Sequence, residues 1–270
     1  EQLGQCYQNI HHVIAVSQAA KRMLQLHHGV DKPITVIENT VFKQPHVATQ
    51  ARQLPTGRFM LGAAGRLVGR KNFAVLIEAV ALLREQGCDV GLKIAGTGPD
   101  EEKLQQQIQR LRLQESVTLL GFVQHMDAFY QQCDVFVCPS IWESYGLVAV
   151  EAFAAGLPVV GANTDGLPEV VSHGVNGVCV SPSWDSTAFA TAMNETASFA
   201  QDVSYQAEHD ALVAQKSLSP SDLALAIKSL LDHPEQYHHM SLAALQAASD
   251  IKSYQQLADA VIGSVKEACE

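Results

Sequence analysis

The chain has 270 residues, of which 47% are hydrophobic and 17% charged, enough apolar material to bury a large core and too much for a mainly disordered chain. Its formal net charge of −10 excludes a general nucleic-acid binder, because no broad basic surface is present to replace phosphate counterions. Any phosphate recognition must therefore be local.

The N-terminal stretch EQLGQCYQNIHHVIAVS has neither a basic leader nor a signal-type apolar segment. HHVIAVS reads as a strand, QAAKRMLQLHHG as a helix closed by Gly29, and ITVIEN as a second strand. The polar stretch KQPHVATQARQLPTG, with Pro45 and Pro55, reads as a linker. A new unit opens at RFMLGAAGRL with a strand and a loop, followed by the helix NFAVLIEAVALLREQG, stopped by Gly87. VGLKIAGTG is a strand, PDEEKLQQQIQRLRL a helix opened by Pro99 and acidic residues, and VTLLGFV a strand. A short helix around MDAFYQQC leads to the strand DVFVCPS, then to a helix starting near Ser144 or Tyr145 and the strand PVVGAN. After DGLPEVVSHGVNGVCVSP the pattern reads as helical to the end. The longest apolar run, Gly146 to Val160, is broken by Glu151, Gly156 and Pro158 and cannot span a bilayer.

Strands that are continuously apolar and alternate with helices imply a parallel sheet covered on both faces: an α/β, doubly wound, Rossmann-like fold with a helical C-terminal segment. In such sheets ligands lie beyond the carboxyl ends of the strands, which directs attention to the loops AAGRLVGRKN, AGTGPD, LGFV, CPSIWESYG and ANTDGLPE. The six cysteines (Cys6, Cys88, Cys133, Cys138, Cys179 and Cys269) show no Cys-x-x-Cys spacing and read as buried reduced thiols of a cytoplasmic protein. The histidines form no His-Glu-x-x-His pattern and read as surface or helix-end residues.

In GRLVGRKN, Arg66, Arg70 and Lys71 gather beyond the first strand of the unit, an arrangement suited to an oxyanion and otherwise explicable as a solvated basic loop. The stretch PSIWESYGLVAVEAFAAGLPVV places Glu143 just outside a helix start and Glu151 two turns within it. If both follow one helix, a rise of ~1.5 Å per residue separates them by roughly 12 Å. That span matches the reach from a ribose across a diphosphate to a sugar. Free N–H groups at the helix start would meet the phosphates, and the carboxylates would accept hydrogen bonds from hydroxyls. Taken singly, Glu143 is equally a capping carboxylate, and Glu151 an occasional acid on a buried helix.

GRLVGRK, AGTGPDEEKL, VTLLGFV, DVFVCPSIWESYGLVAVEAFAAGLPVVGANTDGLPEVV and HGVNGVCV, in this order, resemble the nucleotide-sugar-binding half of retaining GT-B glycosyltransferases of the GT4 type. The resemblance runs from about Val13 to Pro182, and the Glu-x7-Glu element with its basic loop carries most of its specificity. It implies that Arg66 and Lys71 hold the diphosphate, Glu151 the ribose, and that Glu143 faces the donor sugar, with Arg66, Lys71 and Glu143 forming the catalytic set. Ser144, Tyr145, Gly146 and Leu147 would offer backbone N–H groups to phosphate and sugar. Gly96, Gly98 and Phe122, in the loops 96–98 and 121–123, would border the base.

The same resemblance implies no cofactor beyond a UDP-, GDP- or ADP-sugar and no metal, and the chain contains no Asp-x-Asp pair. It implies a sugar, glycan or lipid-linked acceptor, no nucleic acid, and a cytoplasmic site with peripheral association at the inner face of a membrane left open. Residues 1–45 would be the last strand-helix-strand of an N-terminal GT-B domain, 46–57 a linker, 58–182 the nucleotide-sugar core, 183–218 a mainly helical insertion without a role, and 219–270 C-terminal helices. On this division the chain is a fragment that binds nucleotide and transfers sugar poorly alone. Asn72 stands where the pattern has glycine, as does Thr40 in ENTVF. A non-catalytic nucleotide-sugar-binding or interaction module and a GT-B sugar epimerase remain as alternatives. A nicotinamide dehydrogenase is disfavoured, because GTGPDE lacks the third glycine of the dinucleotide fingerprint.

Overall fold

The computed structural model describes residues 10–41, 47–193 and 202–269. Cys6 and Pro45 lie outside these residues. The N-terminal unit pairs β1 (Val13–Ala15) in parallel with β2 (Ile34–Val36) around α1 (Gln18–Leu26), with Ala15, Val30 and Ile34 as its small core. The expected linker is packed rather than loose: Ala48 N–H donates to Ala154 O, and Arg52 Nε donates to Ala155 O.

The central unit is a six-stranded parallel sheet built from β3 (Phe59–Ala64), β4 (Val90–Ala95), β5 (Val117–Leu119), β6 (Val135–Cys138), β7 (Val159–Ala162) and β8 (Gly177–Val180). Its spatial order is β5-β4-β3-β6-β7-β8, so the chain reverses direction across the sheet between β3 and β6. All residues of β6 and β7 are buried because helices cover both faces. On one face α2 (Phe73–Glu85) packs with α8 (Pro220–Asp232), which adds Leu223, Ile227 and Leu230 to the larger core. On the other, α5 (Leu147–Ala154) packs with α9 (Pro234–Ser249), and Phe136, Phe153 and Ala244 share a second core. The shorter helices are α3 (Glu101–Arg110), α4 (Met126–Gln131), α6 (Leu167–Val170) and α7 (Ser186–Met193). The last helix, α10 (Tyr254–Cys269), returns to the N-terminal unit, where Ser264 Oγ and His12 Nε2 lie 3.2 Å apart.

Two expectations need correction. Segment 183–218 is not mainly helical: beyond α7 its described part contains an antiparallel hairpin, β9 (Val203–Gln206) with β10 (Ala211–Ala214). Ser204 and Tyr205 are both buried there, and the two strands pack against α1. The second correction concerns α5, which begins at Leu147 with Gly146 as its N-cap at φ 100°, two to three residues later than expected. Glu143 therefore lies in the preceding loop, and the helical-rise estimate of its distance from Glu151 does not apply. The thiols divide similarly: Cys133 and Cys138 are buried, Cys88 and Cys179 half-buried, and Cys269 exposed. Burial pushes the Cys133 thiol up to about 12.

Candidate functional site

The loops after β3 and β6 meet where the sheet reverses its order, the place where doubly wound sheets leave a crevice. Lys71 closes a short 3-10 turn, Gly69–Lys71, and its Nζ donates to Glu143 Oε2 at 2.6 Å across that crevice. Both side chains are mostly covered, at 12% and 15% exposure, so solvent screens the pair only partly. Arg70 stands over the Trp142 ring at 4.7 Å, a cation–π contact. Arg66 is exposed and, among the described residues, has no side-chain partner. Of the three cations of this loop, Lys71 and Arg70 are thus engaged and Arg66 is exposed.

Asn72 follows Lys71 in the left-handed region at φ 59°, which explains how asparagine replaces the expected glycine. Its buried amide donates to Pro139 O at 3.1 Å and Ser217 Oγ at 2.9 Å. Sequence reasoning saw only the turn here and missed a side chain that pins the β3 and β6 loops together.

The loops after β3, β4 and β5 form one hydrogen-bonded floor. Gly65 N–H donates to Ala95 O, Leu67 N–H to Thr97 O, and Gly96 N–H to Gly121 O, at 2.8–2.9 Å. Gly96 has φ +141°, and a Cβ there would collide with the Gly65 carbonyl, so glycine is required for this approach. Gly98 is crowded in the same way by the Leu67 backbone. Beside this floor Phe122 is 81% exposed and free to offer a ring face.

The first N–H groups of α5, at Leu147 and Val148, precede the first bonds to the Gly146 carbonyl and have no intrahelical partner. Ser144 is exposed and its carbonyl accepts from Ser17 Oγ at 2.7 Å. Tyr145 is half-buried in a separate cavity of about 160 Å³ with Glu38, Val150 and Phe153, and burial raises its hydroxyl's pKa. Gly146 and Leu147 form the cap and first residue of the helix. One turn further, Glu151 Oε2 accepts from Tyr130 Oη–H at 2.7 Å. Burial raises the Glu151 carboxyl, the Tyr130 bond opposes that rise, and nearby Asp127 adds to it.

The two glutamates do not share a cavity. Glu151 lines one of about 440 Å³ with Arg52, Asp127 and Tyr130, whereas Glu143 lines one of about 290 Å³ with Trp142, Ser144, Asp165 and apolar residues of β1 and α1. The structure therefore joins Lys71 to Glu143, places the α5 start beside them, and leaves Glu151 in a neighbouring hollow. Asp165, in the left-handed region at φ 51°, was not foreseen. Burial, with Glu143 nearby, lifts its carboxyl to about 6 against the hydrogen bonds it accepts. Glu169 was also missed: its oxygens accept the first N–H groups of α1, from Gln18 at 2.8 Å and Ala19 at 2.7 Å. The Thr-Asp-Gly turn signal in ANTDGLPE was the available clue to both.

Fold and crevice define a doubly wound α/β domain with a polar cleft at its switch point. Residues 46–198, more than half of the chain, match the family described as glycosyl transferases group 1, and the chain belongs to that family. It is 38% identical over 125 residues to an uncharacterised glycosyltransferase of Methanocaldococcus jannaschii, covering 46% of this chain and 32% of that protein. It is 36% identical over 153 residues to glycogen synthase of Mycobacterium tuberculosis, covering 55% of this chain and 36% of the synthase. The chain thus spans about a third of the length of these relatives. In structure it resembles sucrose-phosphate synthase from Thermosynechococcus elongatus (TM-score 0.75, 20% identity), covering 98% of this chain and 60% of that one. It also resembles the pneumococcal O-GlcNAc transferase GtfA in complex with UDP and GlcNAc (TM-score 0.74, 17% identity), covering 100% of this chain and 47% of that one. At these identities the likeness establishes the shared fold. Among the described residues no helix is long and apolar enough to cross a membrane.

Proposed function

We propose that this chain is the donor-binding portion of a retaining glycosyltransferase of the GT4 type, which transfers a sugar from a nucleoside-diphosphate sugar to an acceptor hydroxyl. The observation that carries this reading is the Lys71–Glu143 ion pair spanning the β3/β6 crevice beside the α5 start. An incoming diphosphate competes with Glu143 for the Lys71 ammonium. Once Lys71 turns to phosphate, the Glu143 carboxylate is released to accept hydrogen bonds from sugar hydroxyls. One rearrangement thus prepares both ends of the donor.

Arg66, Lys71 and the helix start then stabilise the charge that grows on the leaving diphosphate as the glycosidic bond breaks. The electron pair of that bond departs with the phosphate oxygen. On the retaining route the acceptor oxygen bonds to the same face of the anomeric carbon, and its proton passes to the leaving phosphate. Glu151, held by Tyr130, binds the ribose; the 96–98 and 121–123 loops, with exposed Phe122, border the base. Charge neutralisation is assigned to protein groups, with no metal. The neighbour structure holding UDP and GlcNAc makes UDP the first ligand to try.

Calorimetric titration with UDP, GDP and ADP, then with their glucose forms, tests the reading. Saturable binding of at least one, stronger than that of its nucleoside, is expected. Failure of all three to bind at millimolar concentration overturns it.

A further inference from the structure

The 203–214 hairpin belongs to a segment to which the family resemblance assigns no role, yet it touches two parts of the molecule that flank the crevice. On its inner side, buried Tyr205 is linked to Asp165 by two bonds: Asp165 N–H donates to Tyr205 O at 3.0 Å, and Tyr205 N–H donates to Asp165 Oδ1 at 2.9 Å. At its tip, Asp210 receives the forked guanidinium of Arg22 from α1, Nε on Oδ1 at 2.6 Å and Nη2 on Oδ2 at 2.7 Å. Tyr205 Oη–H donates to Asp210 Oδ1 at 3.0 Å, joining the two contacts within the hairpin.

Both flanks lead to the same stretch of backbone. Next to Asp165, Gly166 N–H donates to Glu143 O at 2.9 Å, and the approach is so close that a Cβ on Gly166 would strike Ser144 O. From the other side, Ser17 at the start of α1 donates its hydroxyl to Ser144 O. The contacts close a ring: α1, Asp210, Tyr205, Asp165, Gly166, the Glu143–Ser144 backbone, Ser17 and α1 again. An exposed ion pair adds little stability, but a bidentate Arg–carboxylate fork fixes orientation well.

We propose that the 203–214 hairpin is a positioning element for the donor-sugar end of the site, with Arg22, Asp210 and Tyr205 holding the Asp165–Gly166 turn and through it the Glu143 backbone. Of the diphosphate end, Arg66 and Lys71 are not members of the ring, and Lys71 meets it only through the Glu143 side chain. The sugar assignment rests on the donor-binding reading above; the mechanical coupling does not.

Two measurements on the full chain keep these apart. In the ligand-free protein, amide hydrogen exchange at Asp165 and Gly166 should quicken in Asp210→Ala and Arg22→Ala while the sheet's core amides keep wild-type rates. Unchanged exchange at those two amides overturns the proposal whatever the ligands do. In calorimetry with UDP and UDP-glucose, each variant should weaken UDP-glucose by about 3–10-fold and UDP by less than about twofold, the scale of coupling between neighbouring residues. The double variant should be no worse than either single one, and Arg22→Lys should restore part of the loss. Equal weakening of both ligands, or wild-type affinity for both, overturns the proposal. A wild type that binds neither ligand refutes the donor-binding reading, and the exchange rates then decide the hairpin's role alone.

Discussion

The floor of the crevice and the hairpin beside it are held in opposite ways. In the floor, backbone lies on backbone: Gly96 and Gly98 leave no room between the β3 and β4 loops, and the joints are main-chain hydrogen bonds. In the hairpin, the outer joint is a guanidinium on a carboxylate near the surface, with side-chain exposures of 30% and 58%. Contacts of the first kind tolerate no added atom, and those of the second can yield without unfolding anything. On the donor-binding reading proposed above, the floor is a rigid seat for the nucleotide and the hairpin an adjustable support for the sugar.

The sharpest way to break this contrast is to add one methyl group to the floor. Gly96→Ala places a Cβ against the Gly65 carbonyl at a positive φ, so the loops must part. Strain and overpacking together should cost roughly 3 kcal/mol or more, read as a lower urea midpoint. A near-wild-type midpoint would show that the floor can give way like the hairpin.

The next effects are on binding rather than folding. Glu151→Ala should weaken nucleoside diphosphate affinity by about 1–3 kcal/mol, the usual scale for a lost charged hydrogen bond. Unchanged affinity would remove Glu151 from the ribose and leave it as the acid that satisfies Tyr130. Lys71→Ala and Arg66→Ala should reduce affinity for the diphosphate more than for the nucleoside, by a similar ~1–3 kcal/mol. If nucleoside and diphosphate suffer alike, neither cation touches phosphate.

How far the sequence revealed each region follows from the same contrast. The floor was legible in part: the resemblance drew attention to Gly96 and Gly98 as bordering a base, and the close backbone approach that requires glycine there emerged only in the structure. The hairpin was not. VSYQ and ALVA are short, their turn AEHD lacks an Asn-Gly or Asp-Gly signal, and Asp210 supplies the left-handed residue unannounced. The β8 strand in NGVCVSP received no assignment for a similar reason: four residues give too little periodicity. The α5 start was placed near Ser144 or Tyr145, whereas the chain uses Gly146 at positive φ as the cap, a position at which serine and tyrosine are disfavoured. Asn72 and Tyr130 were invisible as functional residues, since their roles depend on partners tens of residues away.

Asp165 sits between the two regions, and pH offers the gentlest way to sharpen the comparison. Burial lifts its carboxyl from the model-peptide 3.8 to about 6, so the folded state holds a proton that the unfolded state releases. Its contribution to stability is therefore fully present below about pH 4 and lost as pH rises through about 6. From pH 7 to pH 5, the wild type should gain on the order of 1 kcal/mol relative to Asp165→Asn, whose amide cannot titrate. The amide oxygen can still accept from Tyr205 N–H, so the variant should fold with the hairpin docked. Differences in urea midpoints between the two proteins at pH 5 and pH 7 isolate this residue, because every other titrating group is common to both. Parallel pH curves would mean that Asp165 is hydrated in solution, and that the turn gripping Glu143 is as open as the hairpin's outer joint.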